Sequence, residues 1–262
     1  MNVGVVGAAG RMGRRLCAAV DRSAEAVLIG AALSPGDARV GADVAELIGG
    51  APRGVALGDD AVLLFRDAEA VLDFTTPDAC VAFSALAAQS PCVHVIGVTG
   101  LDADQDAAID RAALHTPIVH APNMSLGVNL LLALVKQAAA ALPADYDAEV
   151  FEIHHRRKAD APSGTALALG RAVAAGRGQD FDAAAVRARE GITGPRGAGE
   201  IGFATARGGG VIGDHTVYLA ADGERIELTH RAADRDIYAD GALRAALWAK
   251  GRSPGRYGMR DV

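Results

Sequence analysis

Val3-Gly4-Val5-Val6-Gly7-Ala8-Ala9-Gly10-Arg11-Met12-Gly13 opens the chain with an apolar run, a glycine-spaced turn and the beginning of a helix. A short unbroken β-branched run is what a strand covered on both faces demands. In the turn, glycine permits a tight reversal, lets a phosphate approach the backbone and allows helix to pack on strand. The helix that follows presents N–H groups and the positive end of its dipole to an anion. The spacing is G-x-x-G-x-x-G, which marks a dinucleotide turn without fixing its subgroup.

The same alternation continues to about residue 122. Val27-Leu28-Ile29, Val62-Leu63-Leu64, Val71-Leu72-Asp73-Phe74, Val93-His94-Val95-Ile96 and Ile118-Val119-His120 read as strands. Helical stretches between them open at Thr76-Pro77 and at Asp102. Strand–helix repetition implies right-handed crossovers and an α/β domain with a Rossmann-type, doubly wound parallel sheet. From Ser125 the texture changes. A helix over 125–141 is followed by alternating strands over 148–154, 201–206, 215–220 and 225–230, which predicts a second α+β domain with a mixed sheet. Residues 191–199 and 207–210 read as glycine-rich loops. A last helix over 241–250 suits either domain.

Composition narrows the function classes. With 262 residues the chain has room for one to two domains at about 150 residues each. Half of it is apolar, which excludes a disordered tail or a disulfide-stapled miniprotein. A net charge of −6 gives no electrostatic reason to expect nucleic acid or an anionic membrane as partner. Cys17, Cys80 and Cys92 form no C-x-x-C pair and none has a histidine at metal-ligand spacing, so no metal and a reducing compartment are expected. No apolar run approaches the roughly 18 residues of a bilayer span. The opening MNVGVVGAAG lacks a signal-peptide pattern, so the expected location is cytoplasmic.

Ligands of such a sheet lie beyond the carboxyl ends of its strands. Gly97-Val98-Thr99-Gly100 and Ala121-Pro122-Asn123-Met124 end two strands there, where backbone groups can hold a nicotinamide. The adenosine-ribose carboxylate should end the second strand, but Ser34-Pro35-Gly36-Asp37 stands at that place.

Glu152-Ile153-His154-His155-Arg156-Arg157-Lys158-Ala159-Asp160-Ala161-Pro162-Ser163-Gly164-Thr165 is the richest segment. Two histidines and three cations leave a strand, and Ser163-Gly164-Thr165 then starts an Ala/Leu helix. Ser and Thr cap helices, and Gly admits a ligand to the backbone. Cations beside a helix start make a carboxylate pocket, and His154 or His155 can supply a proton at neutral pH.

FEIHHRRKADAPSGTA resembles the active-site signature of the 4-hydroxy-tetrahydrodipicolinate reductase (dihydrodipicolinate reductase) family. GAAGRMG, VIGVTG, APNMSLGVN, IGFATARGGGVIGDHTV and GRYGMRDV are similar to the family's other motifs, in the family's order. The resemblance implies reduction of 4-hydroxy-tetrahydrodipicolinate, a ring dicarboxylate, by NADPH or NADH on the diaminopimelate route to lysine. It also implies a homotetramer. The cofactor domain would comprise 1–124 and 236–262, and the substrate and oligomerisation domain 125–235. Matched by position, His154 falls on the general acid/base and Lys158 on a second proton donor. His155, Gly164 and Thr165 fall on substrate positions, with Ser163 beside them. Gly7, Ala8, Ala9, Gly10, Arg11, Met12, Gly97, Val98, Thr99, Ala121, Pro122, Asn123 and Met124 fall on cofactor positions. Ser34 stands where the family commonly has an acid followed by Arg, so the usual reader of the 2′ position is missing. His94, His115, His120, His215 and His230 are taken as structural. Two other classes compete: a non-catalytic redox sensor on the same fold, and a different two-domain dehydrogenase acting on an aldehyde or amino acid through a nucleophilic Cys or another acid/base set.

Overall fold

Valine-rich runs and capped helices alternate along the first half of the computed structural model, which describes residues 1–262. In order come β1 (Asn2–Val6), α1 (Arg11–Asp21), β2 (Val27–Ala32), α2 (Ala45–Ile48), β3 (Leu57–Gly58), α3 (Ala61–Asp67), β4 (Ala70–Asp73), α4 (Pro77–Ala87), β5 (Val93–Ile96), α5 (Ala103–Ala113) and β6 (Pro117–His120). Then follow α6 (Leu126–Ala141), β7 (Asp147–His154), α7 (Gly164–Arg177), α8 (Phe181–Ala184), β8 (Ala185–Val186), β9 (Ile201–Arg207), β10 (Asp214–Ala220) and β11 (Arg225–Arg231). The chain ends with α9 (Asp236–Ala249) and β12 (Gly255–Tyr257). Contacts divide it into two units, Met1–Leu126 with Asp236–Val262, and Gly127–Arg235. No helix is long and apolar enough to cross a membrane.

The first unit holds a seven-stranded sheet in the order β12-β6-β5-β4-β1-β2-β3, parallel throughout. The chain runs outward from β1 to β3, then crosses to β4 and runs outward the other way, so the switch point lies between β1 and β4. Val5, Leu72, Val95 and Val119 are wholly buried, the two-sided burial that the unbroken apolar runs imply. Helix starts follow the cap signals. Pro77 opens α4, and Asp102 with Gln105 forms a capping box on α5.

Val62-Leu63-Leu64 is not the expected strand but part of α3. Asp60 accepts the Leu63 N–H at 3.1 Å and starts a helix, leaving Val62 and Leu63 exposed while Leu64 and Phe65 reach the core. The strand next to β2 is instead the two-residue β3.

The second unit carries a five-stranded mixed sheet, β11-β10-β7-β9-β8. Its β7 is antiparallel to β10 and parallel to β9. Leu131 and Val135 of α6, with Leu169 and Val173 of α7, close a core over Val150, Ile201, Val217 and Leu219.

The last helix belongs to the first unit. Its residues Ala239, Ala242, Ala245, Ala246 and Ala249 are buried against the core that includes Leu16 and Val20 of α1, and Arg15 pairs with Asp236. Small residues permit this approach, and Gly241 shows the limit. A Cβ there would stand 1.9 Å from the Met124 carbonyl oxygen. Gly241→Ala should therefore cost about 1–3 kcal/mol through backbone overpacking. Gly223→Ala, which meets nothing within 4 Å, should stay within about 0.5 kcal/mol. Urea unfolding of the two variants checks the contrast; equal stability would show that α9 can shift freely.

Candidate active site

At the end of β1 the chain is shaped by the absence of side chains. Gly7 has φ +62°, and a Cβ on it would lie 2.6 Å from Thr75 Cγ2. A Cβ on Gly13 would lie 2.2 Å from the Gly7 carbonyl oxygen, so α1 packs directly on the turn. The Gly10 N–H donates to Gly7 O at 3.0 Å, and Gly10 caps α1 without a side chain. The first-turn N–H groups, which have no carbonyl within the helix, are thereby left facing the turn. Such a cradle fits a pyrophosphate. It holds Gly7, Ala8, Ala9 and Gly10, with Arg11 exposed and Met12 next along α1.

The parallel register brings Ser34, Gly97, Val98, Thr99, Ala121, Pro122, Asn123 and Met124 to the same edge of the sheet. The Ala121 N–H donates to Ile96 O, and Asn123 Oδ1 accepts the Ser125 N–H at 2.9 Å, fixing the turn after β6. Beside the β2 tip, the Leu33 N–H donates to Gly58 O at 2.8 Å. Asp59 and Asp60 therefore follow the neighbouring strand, and Asp60 is spent on capping α3. Arg39 is spent as well: it donates to both oxygens of Asp37, at 2.9 and 2.6 Å, and holds that carboxyl down to about 2. His94 bridges Asp73 and Ser84 at 3.2 Å each within the buried core.

In the second unit the period of two on β7 turns Ala148, Val150, Glu152 and His154 to the buried face. Register then supplies their neighbours: Glu152 lies opposite His215 of β10 and Thr205 of β9, and His154 opposite Arg207. Glu152 is 1% exposed and His154 7%. Glu152 Oε1 accepts the Ser163 N–H at 3.0 Å and the Thr205 hydroxyl at 3.2 Å, with Arg207 Nη1 at 3.5 Å. Glu152 Oε2 lies 3.2 Å from His154 Nδ1 and 3.7 Å from His215 Nε2. Neither Oε2 nor His154 Nδ1 is aligned with a hydrogen-bond partner. The rings of His154 and His215 meet edge to face at 5.0 Å. One donor atom from each of the three residues falls within 4.8 Å of the others, close enough for a small cation and equally for a relayed proton.

Burial pushes the His154 imidazole below its ordinary value, and the Glu152 charge pulls against that fall. Burial, helped by His154, takes His215 down to about 4, so it is neutral at pH 7. Burial raises the Glu152 carboxyl, but the Ser163 hydrogen bonds and the two histidines together outweigh it and hold the group below its ordinary value.

A brace of cations surrounds this trio. Lys158 Nζ contacts both oxygens of Asp160, at 2.8 and 2.9 Å, and Arg207 Nη2 donates to the Asp160 carbonyl at 2.6 Å. Ser163 Oγ accepts the Ala166 N–H at 3.1 Å, capping α7, and lies 3.1 Å from His215 Nε2. Gly164 opens onto space, with nothing within 4 Å of a would-be Cβ, and Thr165 follows on the first turn. His155 lies outside the trio, half-buried after β7 ends, with Arg235 and Arg157 among the cations that depress it after its own desolvation.

Sequence reasoning missed Glu152, Arg207 and Gly213, and left His215 among the structural histidines. The alternation Glu152-Ile153-His154 was the available signal, since residues two apart in a strand share a face. Gly213 adjoins the imidazole: a Cβ there would lie 2.8 Å from His154 Nε2.

Family models described as dihydrodipicolinate reductase, N-terminus and C-terminus, match residues 1–124 and 127–262. The chain is 55% identical over 258 residues to a 4-hydroxy-tetrahydrodipicolinate reductase of Ruegeria pomeroyi, covering 98% of this chain and 96% of the relative. A Brucella abortus protein of the same name is 54% identical over 263 residues, covering 100% and 98%. Among solved structures, a dipicolinate-bound dihydrodipicolinate reductase from Paenisporosarcina sp. TG-14 shares the fold at TM-score 0.80 and 24% identity, covering 100% of this chain and 99% of that one. With both family models matched and more than half of its residues shared along its whole length, the chain belongs to the dihydrodipicolinate reductase family.

Proposed function

We infer that this chain reduces 4-hydroxy-tetrahydrodipicolinate to tetrahydrodipicolinate on the diaminopimelate route to lysine, with His154 as the general acid. The observation that carries the assignment of roles is the buried imidazole of His154 beside Lys158, linked through Glu152 and Ser163 to the N-terminus of α7. A reduced nicotinamide dinucleotide, held at residues 7–12 and along the strand ends named above, supplies the hydride when bound. The substrate carries two carboxylates. The α7 N-terminus, with Ser163, Gly164 and Thr165, holds one through N–H groups and the helix dipole. Lys158 and His155 supply positive and polar character for the rest. The 4-hydroxyl leaves as water, and the hydride adds to the conjugated ring that remains. His154 Nε2 gives the neighbouring ring carbon its proton while the Lys158 ammonium stabilises the negative charge that develops.

Cytoplasmic location and assembly as a homotetramer complete this reading. Phe151, 37% exposed on the sheet face opposite His154, supports an assembly built on that face. Following nicotinamide absorbance with the product of the preceding synthase as substrate tests the reaction. No turnover with either cofactor would refute the reading.

Two predictions follow from the roles assigned. His154→Gln should lower kcat by about 100-fold or more with little change in KM, because it removes a proton transfer made only in the transition state. Lys158→Ala should lower kcat as well, whereas Thr165→Val should chiefly raise KM. Steady-state kinetics decide; a purely KM effect at Lys158 would demote it to a binding residue.

The cofactor prediction rests on charge. With Arg39 committed to Asp37, Arg11 is the cation that the glycine turn itself offers to a 2′-phosphate. An exposed contact of this kind is worth about 1 kcal/mol or less, so kcat/KM for NADH and NADPH should agree within about tenfold. Arg11→Ala should hurt NADPH more than NADH. A preference of about a hundredfold for either would require a reader elsewhere.

A further inference from the structure

We propose that Glu152 is the positioning residue of the proton-transfer step: its buried carboxylate holds His154 with the proton on Nδ1 and leaves Nε2 for the substrate. This rests on the reductase reading above and deepens it.

The argument begins with the two carboxylate oxygens. Oε1 is occupied by the Ser163 N–H, the Thr205 hydroxyl and the nearby Arg207 guanidinium. Oε2 has no aligned partner and faces two imidazole nitrogens, His154 Nδ1 at 3.2 Å and His215 Nε2 at 3.7 Å. A buried carboxylate oxygen needs a proton donor. His154 Nδ1 also lacks an aligned partner, so each is the other's nearest complement. An unprotonated Nδ1 would set its lone pair against a negative oxygen at that distance. The reverse tautomer is therefore disfavoured on electrostatics alone. Contacts of this sort are commonly loose before substrate binds and tighten afterwards.

The ring cannot turn away easily. His215 abuts it edge to face at 5.0 Å. On its other nitrogen, Gly213 leaves Nε2 clear, where any side chain would begin 2.8 Å away. Ser163 joins the two halves of the device. Its N–H binds Glu152, while its hydroxyl contacts His215 and caps α7. A carboxylate bound at α7 is thus connected through one residue to the group that orients the acid.

Every charge facing His154 enters the pH dependence. Glu152 on β7 and Asp160 in the following loop favour the imidazolium; Lys158 and Arg207 oppose it, and His215 on β10 is neutral. Asp160 is already engaged by Lys158. Removing the Glu152 charge therefore lowers the proton affinity of His154. The pH limb of kcat/KM that requires the protonated acid should move down by about one unit or more.

The test uses the full chain labelled with 15N-histidine, in buffer with EDTA so that no divalent cation occupies the trio. In the wild type, imidazole 15N shifts should report His154 as the Nδ1–H tautomer. In Glu152→Gln the tautomer should change or mix, kcat should fall about tenfold or more with KM nearly kept, and the limb should move to lower pH. Glu152→Asp, which keeps the charge, should return part of the limb position. An Nε2–H tautomer in the wild type overturns the proposal by itself, whether or not any variant folds. So does a folded Glu152→Gln whose pH limb is unmoved, since a merely structural loss would lower activity without shifting it. If the wild type turns over no substrate, the reductase reading fails, while the NMR arm still decides the Glu152–His154 pairing.

Discussion

One carboxylate constrains the second unit. Taking Glu152 out of water costs several kcal/mol unless its oxygens are satisfied, and its surroundings pair Oε1 and set Oε2 against two imidazoles. Thr205 comes from one neighbouring strand, His215 from the other, and Ser163 from the start of α7. A slip of one residue in the β7 register would turn Glu152 and His154 to the opposite face and leave both unpaired. The charge therefore specifies the register as firmly as the apolar residues around it. The mixed topology follows the same logic. With β9 parallel and β10 antiparallel to β7, the end of two strands and the start of a third meet at one edge. That edge is where His154, Arg207 and His215 are required together.

The first unit is organised by exclusion instead. Its glycine turn needs backbone where any side chain would collide, at Gly7 against Thr75 and at Gly13 against the Gly7 carbonyl. The same device recurs at Gly241, where α9 closes on the turn that ends β6. Steric exclusion of this kind does not depend on pH or salt, whereas the pairing around Glu152 depends on the protonation of its neighbours. The glycine turn and the His154 pocket thus answer to different conditions within one chain.

Much of the fold was legible because its signals are local. Unbroken valine runs marked buried strands, and Pro77 and Asp102 marked helix starts. The Val62-Leu63-Leu64 run misled because a short apolar stretch has no period of its own. Its sense was set by Asp60, one residue ahead of the helix. Strands of two and three residues, β3 and β12, leave too little pattern to find. In the candidate site, His154 and Lys158 stood out in the segment that resembles the family signature. Glu152 could have been reached from its place two residues before His154. His215, Arg207 and Gly213 lie in the family-like stretch 201–217, but cross-strand register joins them to His154 and no local pattern encodes that register.

The same distinction governs the charges near the β2 tip. Counting cations along the sequence makes Arg39 available to a phosphate, yet it folds back onto Asp37 two residues away. Counting acids at the strand tip finds none, yet the β2–β3 register sets Asp59 directly after the residue paired with Ala32. A two-residue strand therefore controls which charges stand near the β2 tip, a matter neither β2 nor its loop decides. Exposed charges act through water and are screened, so each contributes little. Charges placed by register in this way enter any contact at the β2 tip as small differences between weak terms.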